Sequence, residues 1–201
     1  MKSDFIYLAS QSPRRRQLLE QMGVQHRLLL PQPDEDAEAL EVALSYESPT
    51  AYVHRVTRLK LMAALQRRHL LGWPAAPVLC ADTTVALGRK ILGKPEDPAH
   101  AAAMLRDLSD REHRVLTAVA VGTDRTVRTA LSVSVVRFDV LTPAWIKAYV
   151  TSGEPMGKAG AYAIQGRAAT RIVAIRGSYS GIMGLPVRET AQLIEGWVKF
   201  G

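Results

Sequence analysis

Four times in this chain a residue that caps helices stands directly before proline: Ser12-Pro13, Ser48-Pro49, Asp97-Pro98 and Thr142-Pro143. A cap oxygen can accept one of the orphan N–H groups of the first turn, and proline at the next position has no N–H to orphan. Each pair therefore marks a helix start. After Ser12, apolar residues fall at Leu18, Leu19 and Met22, with Gly23 as a stop. After Ser48, a stripe of Tyr52, Val56, Leu59 and Ala63 is expected to face the core, and after Asp97 one of Ala101, Met104, Leu105 and Leu108. Between these helices lie strand-like runs: 5–9, 78–87, 115–121, 127–140 and 171–175. Residues 118–121 are continuously apolar, as in a strand covered on both faces, whereas 132–138 alternates, as in a strand with one wet face. Alternating strands and helices predict an α/β protein.

At 201 residues, with no solenoid repeat, low-complexity tract or long linker, the chain is expected to form a single domain over 1–201. Its apolar and charged fractions, 47% and 22%, exclude a disordered chain, a collagen-like chain and a disulfide scaffold. The one cysteine, Cys80, lies in the apolar run 77–81 and is expected to be a small buried hydrophobe in a reducing compartment. No secretory leader or run of ~18 apolar residues is present, so a cytoplasmic location without a membrane partner is expected.

Twenty-six Lys and Arg against 19 Asp and Glu give a net charge of +7, which favours an anionic partner. The distribution of charge says more. Arg14, Arg15 and Arg16 open the first helix, and Arg55, Arg58, Lys60, Arg67 and Arg68 lie on the second. Between them runs the acidic stretch 34–38, including Asp34 and Glu35. Carboxylates between two basic helices suit a metal–phosphate complex better than a bare nucleic-acid backbone, because magnesium takes oxygen ligands and shares them with substrate phosphates. The other reading of the stretch is a solvated loop.

Ser10-Gln11-Ser12-Pro13-Arg14-Arg15 joins a strand end to a helix N-terminus, a natural anion site, and arginine adds fork-shaped donors. It lacks the glycine spacing of a P-loop. Asp82 follows apolar or small residues in a strand that reads as buried, where a carboxylate is costly unless paired or metal-bound; a strand-end cap is the alternative. Lys94 sits in the turn Gly93-Lys94-Pro95, and Lys158 and Gln165 are polar members of the small-residue segment 157–166. Gln165 carries both a donor and an acceptor for a base edge. The five histidines show no metal-ligand spacing and are expected at the surface or at caps.

Taken in order, Leu8-Ala9-Ser10-Gln11-Ser12-Pro13-Arg14-Arg15, Ala81-Asp82-Thr83, Gly93-Lys94-Pro95, Lys158-Ala159-Gly160-Ala161-Tyr162, Gln165-Gly166 and the segment 177–186 resemble the Maf-like nucleotide pyrophosphatases. The resemblance covers nearly the whole chain. It implies a two-lobed, mixed-sheet α/β fold like that of inosine triphosphate pyrophosphatase, with the active site in the central cleft. It implies hydrolysis of a nucleoside triphosphate between the α- and β-phosphates, giving a monophosphate and pyrophosphate with Mg²⁺ or Mn²⁺ as cofactor. It implies that Asp82 is the catalytic proton acceptor and that Asp34, Glu35 and Asp82 are near the metal. Ser10, Arg15, Lys60, Lys94 and Lys158 would then bind phosphate.

Three positions mark the branch acting on dTTP and UTP, and Arg14, Thr83 and Gln165 match it. A branch acting on 7-methyl-GTP or another purine nucleotide is the nearest alternative. A non-catalytic nucleic-acid-binding or cell-division regulator is the alternative from another class, although only 6% of residues are aromatic and no interleaved stacking platform is visible. The resemblance also implies a possible homodimer, and no nucleic-acid partner.

Overall fold

The computed structural model describes residues 2–33, 35–36 and 39–199. Its elements are β1 (Ile6–Leu8), α1 (Pro13–Gln21), β2 (His26–Leu28), α2 (Pro49–Leu70), β3 (Val78–Leu87), β4 (Lys90–Leu92), α3 (Pro98–Leu108), β5 (Glu112–Gly122), β6 (Val127–Phe138), α4 (Pro143–Thr151), β7 (Ile172–Arg176), α5 (Tyr179–Met183) and α6 (Val187–Ile194). Short 3₁₀ segments occupy Ala39–Glu41, Ala159–Ala161 and Arg167–Arg171. The α/β expectation holds. All four Ser/Asp/Thr-Pro pairs start helices at their proline, and β3 has the expected bounds. The three-residue strands β2 and β4 and the helices α5 and α6 were not foreseen. The first two are too short for alternation to show, and α5 hides in a glycine-rich segment.

Three caps close as expected. Ser48 Oγ accepts from the Ala51 N–H at 3.2 Å, Asp97 Oδ1 from His100 at 2.7 Å, and Thr142 Oγ1 from Trp145 at 3.2 Å. Ser12 is the exception: its side chain makes no cap bond, and its hydroxyl is buried without a partner among the described residues.

The α2 stripe also differs from the expectation. Tyr52 and Val56 are buried as expected, but Leu59 is 40% exposed, while Val53, Leu61 and Ala64, outside the stripe, are fully buried. The helix is thus turned about one residue, or ~100°, from the stripe read in the sequence. The turn buries Arg67 and Arg68, two of the basic residues placed on this helix from the sequence. Arg68 donates to Ala76 O at 3.3 Å and pairs with Asp124 at 2.5 Å.

Nor are all the histidines at the surface or at caps. His113 is 2% exposed, with Nε2 2.8 Å from the Tyr162 hydroxyl and its ring stacked on Phe138. Burial pushes its pKa down to about 4, so it remains a neutral core group at physiological pH. Cys80 is buried as expected, and burial pushes its thiol up to about 12. The native protein is therefore expected to resist iodoacetamide at pH 8 and to be labelled only after unfolding, since the thiolate is the reactive form. Mass spectrometry with and without denaturant checks this.

The strands form one mixed sheet in the order β2-β1-β3-β5-β6-β7, with β4 also paired to β3. β1 runs parallel to β2 and β3, and the remaining pairs are antiparallel. Strand alternation sends Cys80, Asp82 and Ala86 of β3 toward α2, and Leu79, Ala81 and Val85 toward the opposite face, packed with α1, α6, α3 and α4. Ser132 and Ser134 of β6 are buried while Val133 is 46% exposed. This places hydroxyls rather than apolar groups on the covered face. The reason is close approach: a Cβ on Gly177 or Gly181 would come within 3 Å of the Ser134 or Ser132 hydroxyl, and Ser134 Oγ accepts from the Ser178 N–H at 3.0 Å.

One feature of the sheet positions everything that follows. β5 takes one edge of β3, while β1 and β4 share the other. β1 pairs only with Val78 and Leu79, and β4 only with Val85 to Leu87. The stretch 80–84 has no strand opposite it on that edge among the described residues, and the sheet is open there. None of the described helices is long and apolar enough to cross a membrane.

Candidate active site

The opening in the sheet is the floor of a cleft of about 960 Å³, within the range of small-molecule sites. Ser10, Arg14, Arg15, Glu35, Lys60, Asp82, Thr83, Lys94, Lys158 and Gln165 all line it. Asp34 lies outside the described residues. The cleft gathers side chains from both faces of β3, because the open edge lets a ligand touch Asp82 on one side and Thr83 on the other.

On the α2 side, Asp82 is 8% exposed and its Oδ1 accepts from Lys60 Nζ at 2.6 Å. The same ammonium donates to Glu41 Oε1 at 2.7 Å. Lys94 Nζ stands 3.1 Å from Glu41 Oε2. Burial raises the Glu41 pKa, but the charge and hydrogen bond of Lys60, then Lys94, outweigh it and hold the carboxyl below its usual value. For a carboxyl so depressed, the stabilisation is present above the unfolded value, about 4.3, and fades as the pH falls through the folded one. Tyr52 donates its hydroxyl to Glu41 O at 2.8 Å, and burial, followed by the charges of Asp82 and Glu41, pushes its pKa up to about 12. It is therefore a neutral donor at working pH.

Glu41 and Tyr52 are the members of this cluster that sequence reading missed as site residues. Glu41 ends a 3₁₀ turn three residues beyond the acidic stretch, and its charge type was the available signal. Glu35, by contrast, is gripped by Arg67, whose Nε lies 2.7 Å from Oε1 and whose second arm reaches Oε2. Arg67 also donates to Leu29 O at 3.1 Å. The hydrogen bond from Arg67 is the main reason the Glu35 carboxyl is held below its usual range. This pair ties the loop to α2.

On the opposite side, the turn after β1 carries the basic groups. Ser10 Oγ accepts from the Ser12 N–H and from Arg15 Nη1, both at 3.2 Å, which leaves its own proton to donate. Arg15 Nε donates to Gly184 O at 2.8 Å, and Arg14 Nε to Met183 O at 3.2 Å. These two bonds pin the start of α1 to the end of α5. Burial lowers the pKa of both guanidinium groups. Lys158 is lowered by burial and then by the positive charge of Arg14. Its ammonium has one weak acceptor, Met156 O at 3.4 Å. Among the described residues no salt bridge pairs Arg14 or Lys158, and although the charge of Glu154 acts on Lys158, this wall presents positive charge to an anion.

Gln165 is exposed on the turn that follows. Glu154 holds that turn, with Oε1 accepting from the Arg167 N–H at 3.0 Å and from the Tyr149 hydroxyl at 3.0 Å. Gly160 links Lys158 to β3 and β4. Its φ is +69°, its N–H donates to Gly93 O at 3.0 Å, and a Cβ there would sit 2.8 Å from Val85 Cγ1. Gly160→Ala is expected to lose about 1–3 kcal/mol from the left-handed conformation and the clash together. Urea unfolding measures the loss.

The two carboxylates on a single ammonium bear on whether a divalent cation would fit. Among the described residues no group of three or more His, Cys, Asp or Glu is placed to hold a metal. Magnesium, however, is usually bound by one or two carboxylates plus substrate phosphates. Asp82 and Glu41, already sharing one cation, meet that description.

The sequence pattern described as Maf-like protein matches residues 5–197. The dTTP/UTP pyrophosphatase of Albidiferax ferrireducens is 64% identical over 193 residues, covering 96% of each chain. Those of a Polaromonas species and of Ralstonia nicotianae are 64% and 62% identical, covering 96% and 94% of this chain and 95% and 92% of theirs. Among solved structures, the Staphylococcus aureus Ham1 protein is 13% identical, covers 67% of this chain and 72% of its own, and has a TM-score of 0.43, too slight a likeness to carry an argument. With the family pattern spanning almost the whole chain and relatives this similar over nearly all of their length, the chain belongs to the Maf-like protein family.

Proposed function

We propose that this protein hydrolyses dTTP and UTP to the monophosphate and pyrophosphate. The observation that carries the reading is the open edge of β3, which sets Asp82 and Thr83 on the two walls of one cleft. One wall holds the buried Asp82 and half-buried Glu41 with two lysines, and the other a cationic rim without a salt bridge among the described residues. A nucleoside triphosphate needs both: charge-compensating groups at the phosphates and a separate surface for the base. The names of the similar proteins supply the substrate class.

In this reading Asp82 takes a proton from the attacking water, a role for which a carboxylate inside a cleft is suited. Lys60, Lys94, Lys158 and Arg15 bind phosphate oxygens, and Ser10 adds its free hydroxyl proton. Positioning and electrostatics of this kind supply most of the rate in phosphoryl chemistry. Asp82 and Glu41 would hold a divalent cation, Mg²⁺ or Mn²⁺, which when bound neutralises charge on the phosphates. Asp34 and Glu35 would add to that acidic side, Glu35 only by leaving Arg67. Arg14, Thr83 and Gln165 select the base. Residues 1–201 act as one domain, as a homodimer in the cytoplasm, where a lone buried thiol is at home.

A panel of nucleoside triphosphates assayed for pyrophosphate release tests the reading. UTP and dTTP should exceed GTP, ATP and 7-methyl-GTP in kcat/KM. Preference for a purine nucleotide would overturn the pyrimidine assignment, and no release from any triphosphate would overturn the activity.

A further inference from the structure

Behind Thr83, one strand away, lies a second hydroxyl to which neither the motifs nor the mechanism above gives a role. Thr117 is 1% exposed on β5, directly in register with Thr83. Its Oγ1 lies 2.9 Å from Thr83 Oγ1 and 2.7 Å from Gly181 O. The directions of these bonds follow from proton count. A carbonyl oxygen only accepts, so Thr117 gives its single proton to Gly181. Thr117 must then accept from Thr83, whose single proton is spent in turn. Gly181 O is itself fixed, accepting from the Gly184 N–H at 3.0 Å where α5 ends. The chain Thr83–Thr117–Gly181 thus has one polarity. Thr83, which lines the cleft, turns only lone pairs toward it.

We propose that Thr117 is a positioning residue that locks the Thr83 hydroxyl as an acceptor, so that the cleft selects a base whose ring nitrogen bears a hydrogen. The inference rests on the pyrimidine reading above and deepens it. Uracil and thymine present an imide N–H at the position where cytosine presents a lone pair. Opposite an acceptor that cannot rotate, cytosine leaves two acceptors face to face and unpaired, and a mismatch of that kind discriminates strongly in a closed site. The selecting atom belongs to Thr83, but its sense is set from behind by a residue that never touches the ligand.

The test compares kcat/KM for UTP and CTP in the wild type, Thr117→Val and Thr117→Ser. Valine keeps the shape and removes the acceptor, freeing the Thr83 proton to turn into the cleft and meet the cytosine lone pair. Gly181 O retains its bond from Gly184. The UTP/CTP ratio is expected to fall about tenfold or more in Thr117→Val, consistent with one buried hydrogen bond, and to stay close to wild type in Thr117→Ser. A role confined to packing would lower both rates together and leave the ratio alone.

An unchanged ratio in folded Thr117→Val, or an equal fall in Thr117→Ser, would overturn the proposal. Should Thr117→Val not fold, Thr117→Cys, whose thiol is a weak hydrogen-bonding group, carries the same expectation. Wild-type hydrolysis of UTP with no change of ratio sinks this inference alone; a wild type that hydrolyses neither UTP nor dTTP sinks the functional reading and this inference with it.

Discussion

Asp82→Asn is expected to lower kcat for UTP at least ~100-fold, the lower range for losing a general base, while the protein stays folded. Asparagine is nearly isosteric with aspartate, and its amide oxygen can still accept from Lys60, which keeps its second partner, Glu41. The half-buried ammonium is therefore not stranded, and the usual cost of breaking a buried pair is largely avoided. What is lost is the group that takes the proton. Stopped pyrophosphate-release assays, with a melting curve beside them, separate the two effects. A folded Asp82→Asn protein with near-normal turnover would remove Asp82 from the chemistry.

The second large effect concerns which acid serves the cation. Glu41→Gln is expected to raise the Mn²⁺ concentration for half-maximal activity at least tenfold, because one of two carboxylates facing the phosphate site becomes neutral. It should also diminish the rise in melting temperature on adding Mn²⁺ alone, a readout independent of turnover. Glu35→Gln should behave differently. Its carboxylate is engaged by Arg67, which is 6% exposed and also bonded to Leu29 O, so the substitution weakens the partner of a buried guanidinium and lowers stability. Equal metal dependence in the two variants, with unequal stability, would show that Glu41 is not a ligand. The sequence pointed to Asp34 and Glu35 through their place in the acidic stretch, whereas the fold brings Glu41 to Asp82 through a shared lysine.

That contrast marks the limit of legibility along the chain. Local rules were readable where they act over three or four residues. Ser48, Asp97 and Thr142 cap helices because the side chain and the N–H it serves lie within one turn. The stripe of Ala101, Met104, Leu105 and Leu108 is buried as its spacing demands. The candidate site residues were readable as a set, and every described one of them lines the cleft. Ser12 breaks its local rule at the cleft wall, where consistency between levels is most often given up to function. The α2 stripe was half legible, with Tyr52 and Val56 buried but Leu59 exposed, because a helix apolar on more than one side can present several faces; Arg67 bonded to Glu35 and Leu29, and Arg68 paired with Asp124, lie on the face that the fold buries.

The sequence by itself therefore determined the α/β class, the starts of the four proline-led helices, the buried thiol and many, though not Glu41 or Tyr52, of the polar residues that line the cleft. Tertiary structure alone decided how those residues divide. Asp82 and Thr83 are neighbours in the chain, and strand alternation turns them to opposite faces. Only the gap between β1 and β4 lets one cleft reach both. The link of Lys60 to Glu41 and the one-way chain from Thr83 through Thr117 to Gly181 join residues 19, 34 and 64 positions apart. No periodicity encodes such contacts; they exist because the sheet register and the docking of α5 bring hydrogen-bonding atoms within 3 Å.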